Sequence, residues 1–387
     1  LKVSILVIFM FLPSANQKAT GPFFQSATRG YKMDMNFLAM TLGSIGDFFP
    51  FLAIAEGLRR RSHRVVLASN AGYAGLARMA GFEFAPLWDR SGQSLNGLIA
   101  QDPARAWAAV RDEMFLPAMA PARDCIAHYA RDGQWTLLAS WSVFAAAEAH
   151  DRFGLPLCKV YLSPGGLESD GDRRTDEAGL RNIGLFPGWF AAAGIAQTGF
   201  AMLDDAMIPS LSDDVEAFLQ AGTPSVIFTP GSFMRDADGF FREALAACDQ
   251  LGRRAIFLTP YPEQIPPALP ASARHFQYAP LQRLAPRCAA LVHHGGIGTL
   301  AQGLKAGIPQ LVTPLFFDQP DNAARLATLG VSATLAPQAW RRDAIAEKLR
   351  EMLGTVAVKQ NCAHAAAHFA EDNVIEKTCG IALSMTR

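Results

Sequence analysis

The stretch Leu291-Val292-His293-His294-Gly295-Gly296-Ile297-Gly298-Thr299 carries the strongest chemical signal in the chain. An apolar strand there runs into two histidines, then glycines, then a helix. Backbone N–H groups at a helix start point outward, and the helix dipole favours negative charge beside them. Glycines let a phosphate come close to the backbone, and a histidine at the strand end can donate to a phosphate oxygen. Of the pair, His293 fits a packed strand residue and His294 a ligand. The turn is not a Walker loop, because no Gly-Lys-Ser/Thr follows it. A further apolar strand leads to Phe316-Phe317-Asp318-Gln319-Pro320-Asp321-Asn322. Asp318 and Gln319 offer acceptors and a donor suited to sugar hydroxyls. Asp321 also reads as the cap of the helix that follows. Near the start, Gly43-Ser44-Ile45-Gly46-Asp47 is a glycine turn ahead of Pro50, where Asp47 suits a helix cap.

Strands must end at these turns to bring them together. Residues 36–42 form an apolar run before the first turn, and 50–61 have helical spacing. Further strands are expected at 64–68, 136–140 and 157–162, with a helix over 141–153. The pattern weakens from 165 to 215, where Gly165-Gly166, the charged run 168–177 and Gly184 and Gly188 are loop signals. Residues 203–214 read as a linker, with Ser212 opening a helix. The alternation restarts with a strand at 225–229, the turn Pro230-Gly231-Ser232 and a helix capped by Asp238 that runs to 251. Strands at 255–258, 291–294 and 310–313 and a helix at 298–306 follow. This predicts an α/β protein of two doubly wound, Rossmann-like domains, 33–205 and 206–387, facing across a cleft. Ligands should sit at the carboxyl ends of the strands. Residues 1–32 read as an extra segment outside the fold. Their apolar run 3–12 is shorter than the roughly 20 residues that span a bilayer, and Met33 and Met35 stand just before the first strand.

Of 387 residues, 50% are hydrophobic and 18% charged, which suits large buried sheets rather than disorder. The formal net charge is +0, so nothing points to nucleic acid, which needs a basic excess. The six cysteines show no CxxC spacing; scattered reduced thiols of a cytoplasmic protein fit better than a zinc or redox site.

The block from His294 to Gln319 resembles, without a gap, the nucleotide-sugar signature of family 1 glycosyltransferases, which have the GT-B fold. Within that family the likeness is to bacterial enzymes of the rhamnolipid rhamnosyltransferase, glycopeptide and sterol glycosyltransferase types. It is carried also by residues 43–51, by Leu185-Phe186-Pro187 with Trp189-Phe190, and by Tyr278-Ala279-Pro280-Leu281. The resemblance implies a site residue by residue. His294, Gly296, Ile297, Gly298 and Thr299 hold the donor diphosphate, with Gly231 and Ser232 opposite. Tyr278 and Ala279 meet the base, and Gln302 the ribose, although Gln302 reads equally well as an exposed helix residue. Asp318 and Gln319 read the sugar, and Asp47 stands where the family has its catalytic base. Family members with a histidine base orient it with an aspartate, whose place here is Ser140. Phe48, Trp141 and Phe144 are expected on the acceptor side, although Trp141 and Phe144 also fit a core.

The resemblance implies an inverting, metal-independent glycosyltransferase with no cofactor. The donor would be a dTDP- or UDP-hexose or deoxyhexose, rhamnose among them. The acceptor would be a small hydroxylated molecule, lipid-like or a secondary metabolite. The protein would be cytoplasmic, with peripheral association at the inner membrane face. Between Pro164 and Leu185 the chain is shorter than the family by some tens of residues, in a part that walls the acceptor site. Two other readings stand beside transfer: a nucleotide-sugar 2-epimerase-like enzyme, and a non-catalytic nucleotide-sugar-binding partner. A Rossmann dehydrogenase is disfavoured, since residues 43–46 lack the GxGxxG spacing.

Overall fold

The computed structural model describes residues 35–89, 108–131, 133–170, 176, 179–232, 234–370 and 373–385. The expectation for residues 1–32 falls outside them. Among the described residues the strands form two sheets. The first holds β1 (Asn36–Met40), β2 (Arg64–Asn70), β3 (Glu83–Trp88), β4 (Trp135–Ser140), β5 (Leu157–Tyr161), β6 (Leu180–Gly184) and β7 (Ala196–Gln197), in the order β3-β2-β1-β4-β5-β6-β7. The second holds β8 (Val226–Thr229), β9 (Ala255–Leu258), β10 (Ala273–Phe276), β11 (Ala290–His293), β12 (Gln310–Val312) and β13 (Ser332–Thr334), in the order β10-β9-β8-β11-β12-β13. Every pairing is parallel.

Parallel strands are covered by helices on both faces, so they read as continuous apolar runs. In β1, Phe37 and Ala39 join one core and Leu38 and Met40 the other. Helices α1 (Ile45–Arg59) and α2 (Ala74–Met79) pack into the first of these cores; α3 (Leu116–Ala130) and α4 (Phe144–Phe153) pack into the second. In the second sheet, Phe228 and Val292 face one core and Ile227 and Leu291 the other. Each sheet reverses its strand order once, between β1 and β4 and between β8 and β11. Those two crevices are where ligands bind in open α/β sheets.

Several boundaries differ from the sequence reading. Helix α1 begins five residues ahead of Pro50 because Ser44 caps it, its side chain accepting from Gly46 N–H. Pro50 therefore lies inside the helix and cannot donate to the carbonyl of Gly46. Gly165-Gly166 is not a loop but part of α5 (Pro164–Ser169), where the cap Ser163 and the first-position Pro164 offset the glycines' poor propensity. The linker ends as expected: Ser212 caps α6 (Asp213–Gln220). Asp238 opens α7 (Asp238–Leu251) without capping it, and α8 (Leu281–Leu284) follows β10. The remaining helices are α9 (Ile297–Ala306), α10 (Gln319–Thr328), α11 (Arg342–Gly354), α12 (Val356–Ala367) and α13 (Val374–Ser384).

The last helix corrects the division at 205/206. It returns to the first sheet and lies on α1, with Cys379 and Ala382 in the same core as Phe51 and Leu58. Gly57 of α1 makes this possible: a Cβ there would stand 2.9 Å from Cys379 Sγ. A separate apolar cluster joins the halves, with Tyr161, Phe186 and Phe200 packed with Leu300, Leu304 and Leu326. The two crevices are thus held facing one another by buried surface.

Candidate active site

The second crevice is built around His294. Strand β11 ends at His293, which is fully buried; its Nε2 stands 2.8 Å from Gln310 Oε1, and its Nδ1 accepts from Gly295 N–H at 3.0 Å. Burial pushes its pKa down to about 3, so it is a neutral structural residue, as its strand position suggests. His294 emerges between two glycines. A Cβ at Gly231, where φ is +102°, would lie 2.9 Å from its Cε1, and one at Gly296 would lie 2.5 Å from its Nε2. Only glycine leaves that room. Among the described residues His294 Nδ1 has no hydrogen-bond partner, and neither has Gln302 Oε1 farther along α9. Burial holds the His294 pKa down to about 4, so the ring meets an anion as a neutral donor.

Helix α9 starts with no side-chain cap. The amides of Thr299 and Leu300 turn back to the Gly296 carbonyl, while those of Ile297 and Gly298 point off the helix end. With His294 they are the members of the expected diphosphate set that the helix leaves available; the Thr299 amide, expected among them, is committed to the Gly296 carbonyl. The glycine turn Gly231-Ser232 flanks it, with Ser232 at the surface. If the neutral ring contributes one ordinary hydrogen bond, His294→Ala should weaken nucleoside diphosphate binding by about 1 kcal/mol, roughly fivefold, in calorimetry. Unchanged affinity for both dTDP and UDP would make the ring structural.

Tyr278 and Ala279 follow β10 and line a cavity of about 360 Å3 with Pro209, Ser212 and His275. His294 lines a different one, of about 320 Å3, with Pro230, Thr313, Leu315 and Trp340. The expected base and phosphate contacts thus line two separate hollows rather than one.

The loop after β12 reaches back towards the first domain. Phe317 takes a left-handed backbone (φ +56°), a strained conformation for a side chain of that size, immediately before Asp318. The Asp318 carboxylate accepts from Asn322 Nδ2 at 2.9 Å, and Gly165 of the other domain lies against the residue, where a Cβ would stand 3.3 Å from Asp318 Cβ. Burial raises its pKa. Gln319 departs from expectation. It is almost wholly buried, and its side-chain oxygen accepts from the amides of Leu315 (2.8 Å) and Phe316 (3.3 Å). Only its NH2 group remains for a ligand. Asp321 is no cap: it pairs with Arg325 at 2.7 Å.

The first crevice holds Asp47 in the opening turn of α1. Its Oδ2 accepts from Ser44 N–H at 2.6 Å and Ser44 Oγ at 2.8 Å, the reciprocal half of a capping box. The cap is therefore Ser44, and Asp47 keeps Oδ1 for other work. The residue is half-buried, yet its surroundings are dry enough to raise its pKa to about 6; desolvation dominates, opposed by the Ser44 bonds and aided by the nearby Asp318 charge. Across the cleft, a Cβ on Gly298 would stand 3.5 Å from Gly46 Cα. The starts of α1 and α9 meet here, carboxylate on one side and anion site on the other.

The hydroxyl of Ser140, at the end of β4, lies 3.0 Å from that of Ser142. Trp141 and Phe144 are half-buried, their rings 6.3 Å apart edge to face, and Trp141 packs beneath Gly166 of α5. Phe48 corrects the acceptor set. It is fully buried, stacked on Tyr73 at 5.0 Å and edge-on to Phe84 at 6.5 Å, because it lies on the sheet-facing side of α1. The sequence reading gave no role to Ser44 or Asn322. Both had a local signal, Ser-x-x-Asp spacing and an Asp four residues before an Asn.

Comparison with known proteins bears out the fold. Residues 261–380 match the family model for the erythromycin biosynthesis protein CIII-like C-terminal domain, and residues 37–127 that for the glycosyltransferase family 28 N-terminal domain. The chain is 27% identical to O-mycaminosyltylonolide 6-deoxyallosyltransferase of Streptomyces fradiae over 89% of this chain and 96% of that one. It is 29% identical to glycosyltransferase GtfC of Amycolatopsis orientalis over 78% and 86%. In fold it is similar to spinosyn rhamnosyltransferase SpnG (TM-score 0.71, 18% identity, 90% of this chain and 100% of that one). The glycotransferase of kitacinnamycin gives 0.70 at 17% identity over 92% and 100%. SpnG has also been solved with thymidine diphosphate. The fold is that of the GT-B enzymes, and the two family models and the named relatives support a glycosyltransferase of family 1. Within them it is a nucleotide-sugar-using enzyme of the macrolide and glycopeptide, secondary-metabolite type.

Proposed function

We propose that this enzyme transfers a hexose or deoxyhexose, rhamnose among the candidates, from a dTDP- or UDP-sugar to a hydroxyl of a small lipid-like or secondary-metabolite acceptor, with inversion and without a metal. One observation carries the reading: Asp47, with one carboxylate oxygen uncommitted, stands where the start of α1 meets the anion-binding start of α9. The acceptor oxygen attacks the anomeric carbon on the face away from the diphosphate. Asp47 takes the hydroxyl proton as the new C–O bond forms. The old C–O bond breaks, and its electron pair leaves with the diphosphate. The charge that develops there meets His294 and the amides of Ile297 and Gly298, fixed donors that need no reorganisation. These donors are the ground for proposing that neither metal nor cofactor is needed. The dTDP member of that pair has the support of the thymidine diphosphate in the complex of the similar SpnG.

Among the described residues no helix is long and apolar enough to cross a membrane. The reading assigns a cytoplasmic place, where nucleotide sugars are made, with peripheral contact at the inner membrane face. The direct test is mass spectrometry of products after incubation with a panel of nucleotide sugars and hydroxylated acceptors. A hexose or deoxyhexose added to an acceptor is expected; isomerised donor with every acceptor unmodified would favour an epimerase, and binding without either a non-catalytic partner.

The pH profile follows from the base. Asp47 works ionised, and its pKa stands at about 6. The kcat/KM should therefore rise with pH through about 6 and level off above it, falling roughly tenfold per unit on the acid side. A profile flat down to about pH 4.5, near an ordinary carboxylate value, would remove Asp47 from the rate equation.

A further inference from the structure

The turn expected to bind the diphosphate and the loop expected to read the sugar are tied together by one side chain, Asn322. It stands one turn into α10, its backbone N–H donating to the Asp318 carbonyl at 2.8 Å, so the two side chains share a face of the helix. Asn322 is fully buried. Its Nδ2 donates to the Gly295 carbonyl at 2.9 Å and to Asp318 Oδ2 at 2.9 Å. A side-chain amide nitrogen carries two hydrogens, so both bonds are made at once. The Gly295 carbonyl can only accept, so the amide cannot be turned over. The turn itself lies against α10: at Gly295 φ is +94°, and a Cβ there would stand 3.1 Å from the Gln319 carbonyl oxygen.

Fixing the Gly295 carbonyl also fixes the next N–H. Among the described residues no peptide bond is cis, and in a planar trans peptide the C=O of one residue and the N–H of the next point in opposite directions. With its carbonyl drawn to Asn322, the Gly295–Gly296 peptide sends the Gly296 N–H away from that side chain. Among the described residues no hydrogen bond uses this N–H. It precedes the amides of Ile297 and Gly298 in the chain, on a residue beside the His294 ring, whose Nε2 would be 2.5 Å from a Cβ on Gly296. A peptide between two glycines has no Cβ to hold it in either orientation. Turned the other way, it would present its carbonyl oxygen to an incoming anion.

We propose that Asn322 is a positioning residue for the donor diphosphate: by holding the Gly295 carbonyl, its side-chain amide keeps the Gly295–Gly296 peptide turned so that the Gly296 N–H joins those of Ile297 and Gly298 on the leaving group. This rests on the reading of the turn at 294–298 as the diphosphate site. The charge that develops there then meets amides already aligned, with no reorganisation left to do. The second bond of Asn322, to Asp318, ties that alignment to the sugar end of the site.

The test compares deoxythymidine diphosphate with deoxythymidine, by calorimetry on the full chain. Asn322→Ala should weaken the diphosphate roughly tenfold, in line with loss of a bond to a charged group. Deoxythymidine, expected at Tyr278 and Ala279 in the separate hollow, should bind as before. Equal weakening of both ligands would mark a merely structural role and overturn the proposal. His294→Ala separates the two levels of the argument. If it and Asn322→Ala both leave the diphosphate's affinity unchanged, the diphosphate reading of the turn is wrong. If His294→Ala weakens it and Asn322→Ala does not, the turn binds the diphosphate unaided and the positioning role is overturned. A second measurement needs no variant. The sequence has two Gly-Gly pairs, 165–166 and 295–296. Glycine labelled isotopically at its carbonyl carbon and its nitrogen therefore gives carbonyl-coupled amide signals in NMR from Gly166 and Gly296 only. The Gly296 signal should move downfield as deoxythymidine diphosphate is added, as an N–H does on meeting a phosphate oxygen. The Gly166 N–H, already donating to the Ser163 carbonyl, should stay where it is. An unmoved Gly296 signal, with binding shown by calorimetry, would overturn the proposal.

Discussion

Asp47→Asn is expected to lower kcat roughly 100-fold or more, the scale of a general base, with nucleoside diphosphate affinity preserved. Asparagine keeps the shape of the side chain, and its carbonyl can still accept from the Ser44 amide, so the capping box survives in outline. What it loses is the ability to take a proton. Stability supplies a check on this interpretation. The folded pKa of Asp47 stands at about 6, above its ordinary value, so the ionised form is the one the fold disfavours. Replacing it with a neutral group should not destabilise the protein at neutral pH and should flatten the stability change as pH falls through that range. A variant that turns over normally would return Asp47 to the role of a structural partner of Ser44.

Its neighbour should behave in the opposite way. Phe48→Ala should cost about 3–5 kcal/mol of stability, as truncation of a large core aromatic does. The ring is fully buried and stacks on Tyr73 at 5.0 Å, and beneath it lies the core shared by α1, the first sheet and α13. Little can collapse into the space, because Phe84 and Tyr73 are held by their own elements. Chemical denaturation should show the midpoint falling with its slope unchanged. The acceptor KM of the folded fraction should stay near that of the parent. Unchanged stability with a steeply raised acceptor KM would place the ring in the acceptor wall instead.

These two residues also show what the sequence makes legible. The turn from Gly43 to Pro50 identifies where a strand meets a helix, but helical periodicity alone does not mark which face of α1 packs on the sheet. Asp47 and Phe48 differ by one position, about 100° round the helix axis, and one faces the cleft while the other is core. The donor turn was readable because its parts are local: strand, histidine, glycines and helix follow without interruption from 291 to 306. The same holds for the alternation that gave two doubly wound sheets. Contacts between distant segments were not readable. Gly165 meets Asp318 only because two domains close on each other, and α13 returns to α1 through a notch that Gly57 leaves. Gln319 shows a subtler limit. Its type suits a sugar hydroxyl, but its oxygen is committed to two loop amides that no spacing rule reveals.

The account rests on a single displacement at the anomeric carbon, with Asp47 as base and the diphosphate leaving from the opposite face. The anomeric configuration of the product tests this most directly. Proton NMR of the purified glycoside, made from a donor of known configuration, reports it through the coupling constants at the anomeric position and its carbon. The expected result is a product of configuration opposite to that of the donor. Retained configuration would contradict the account, because it demands either a second displacement or departure and attack on one face, and a lone base at Asp47 provides for neither.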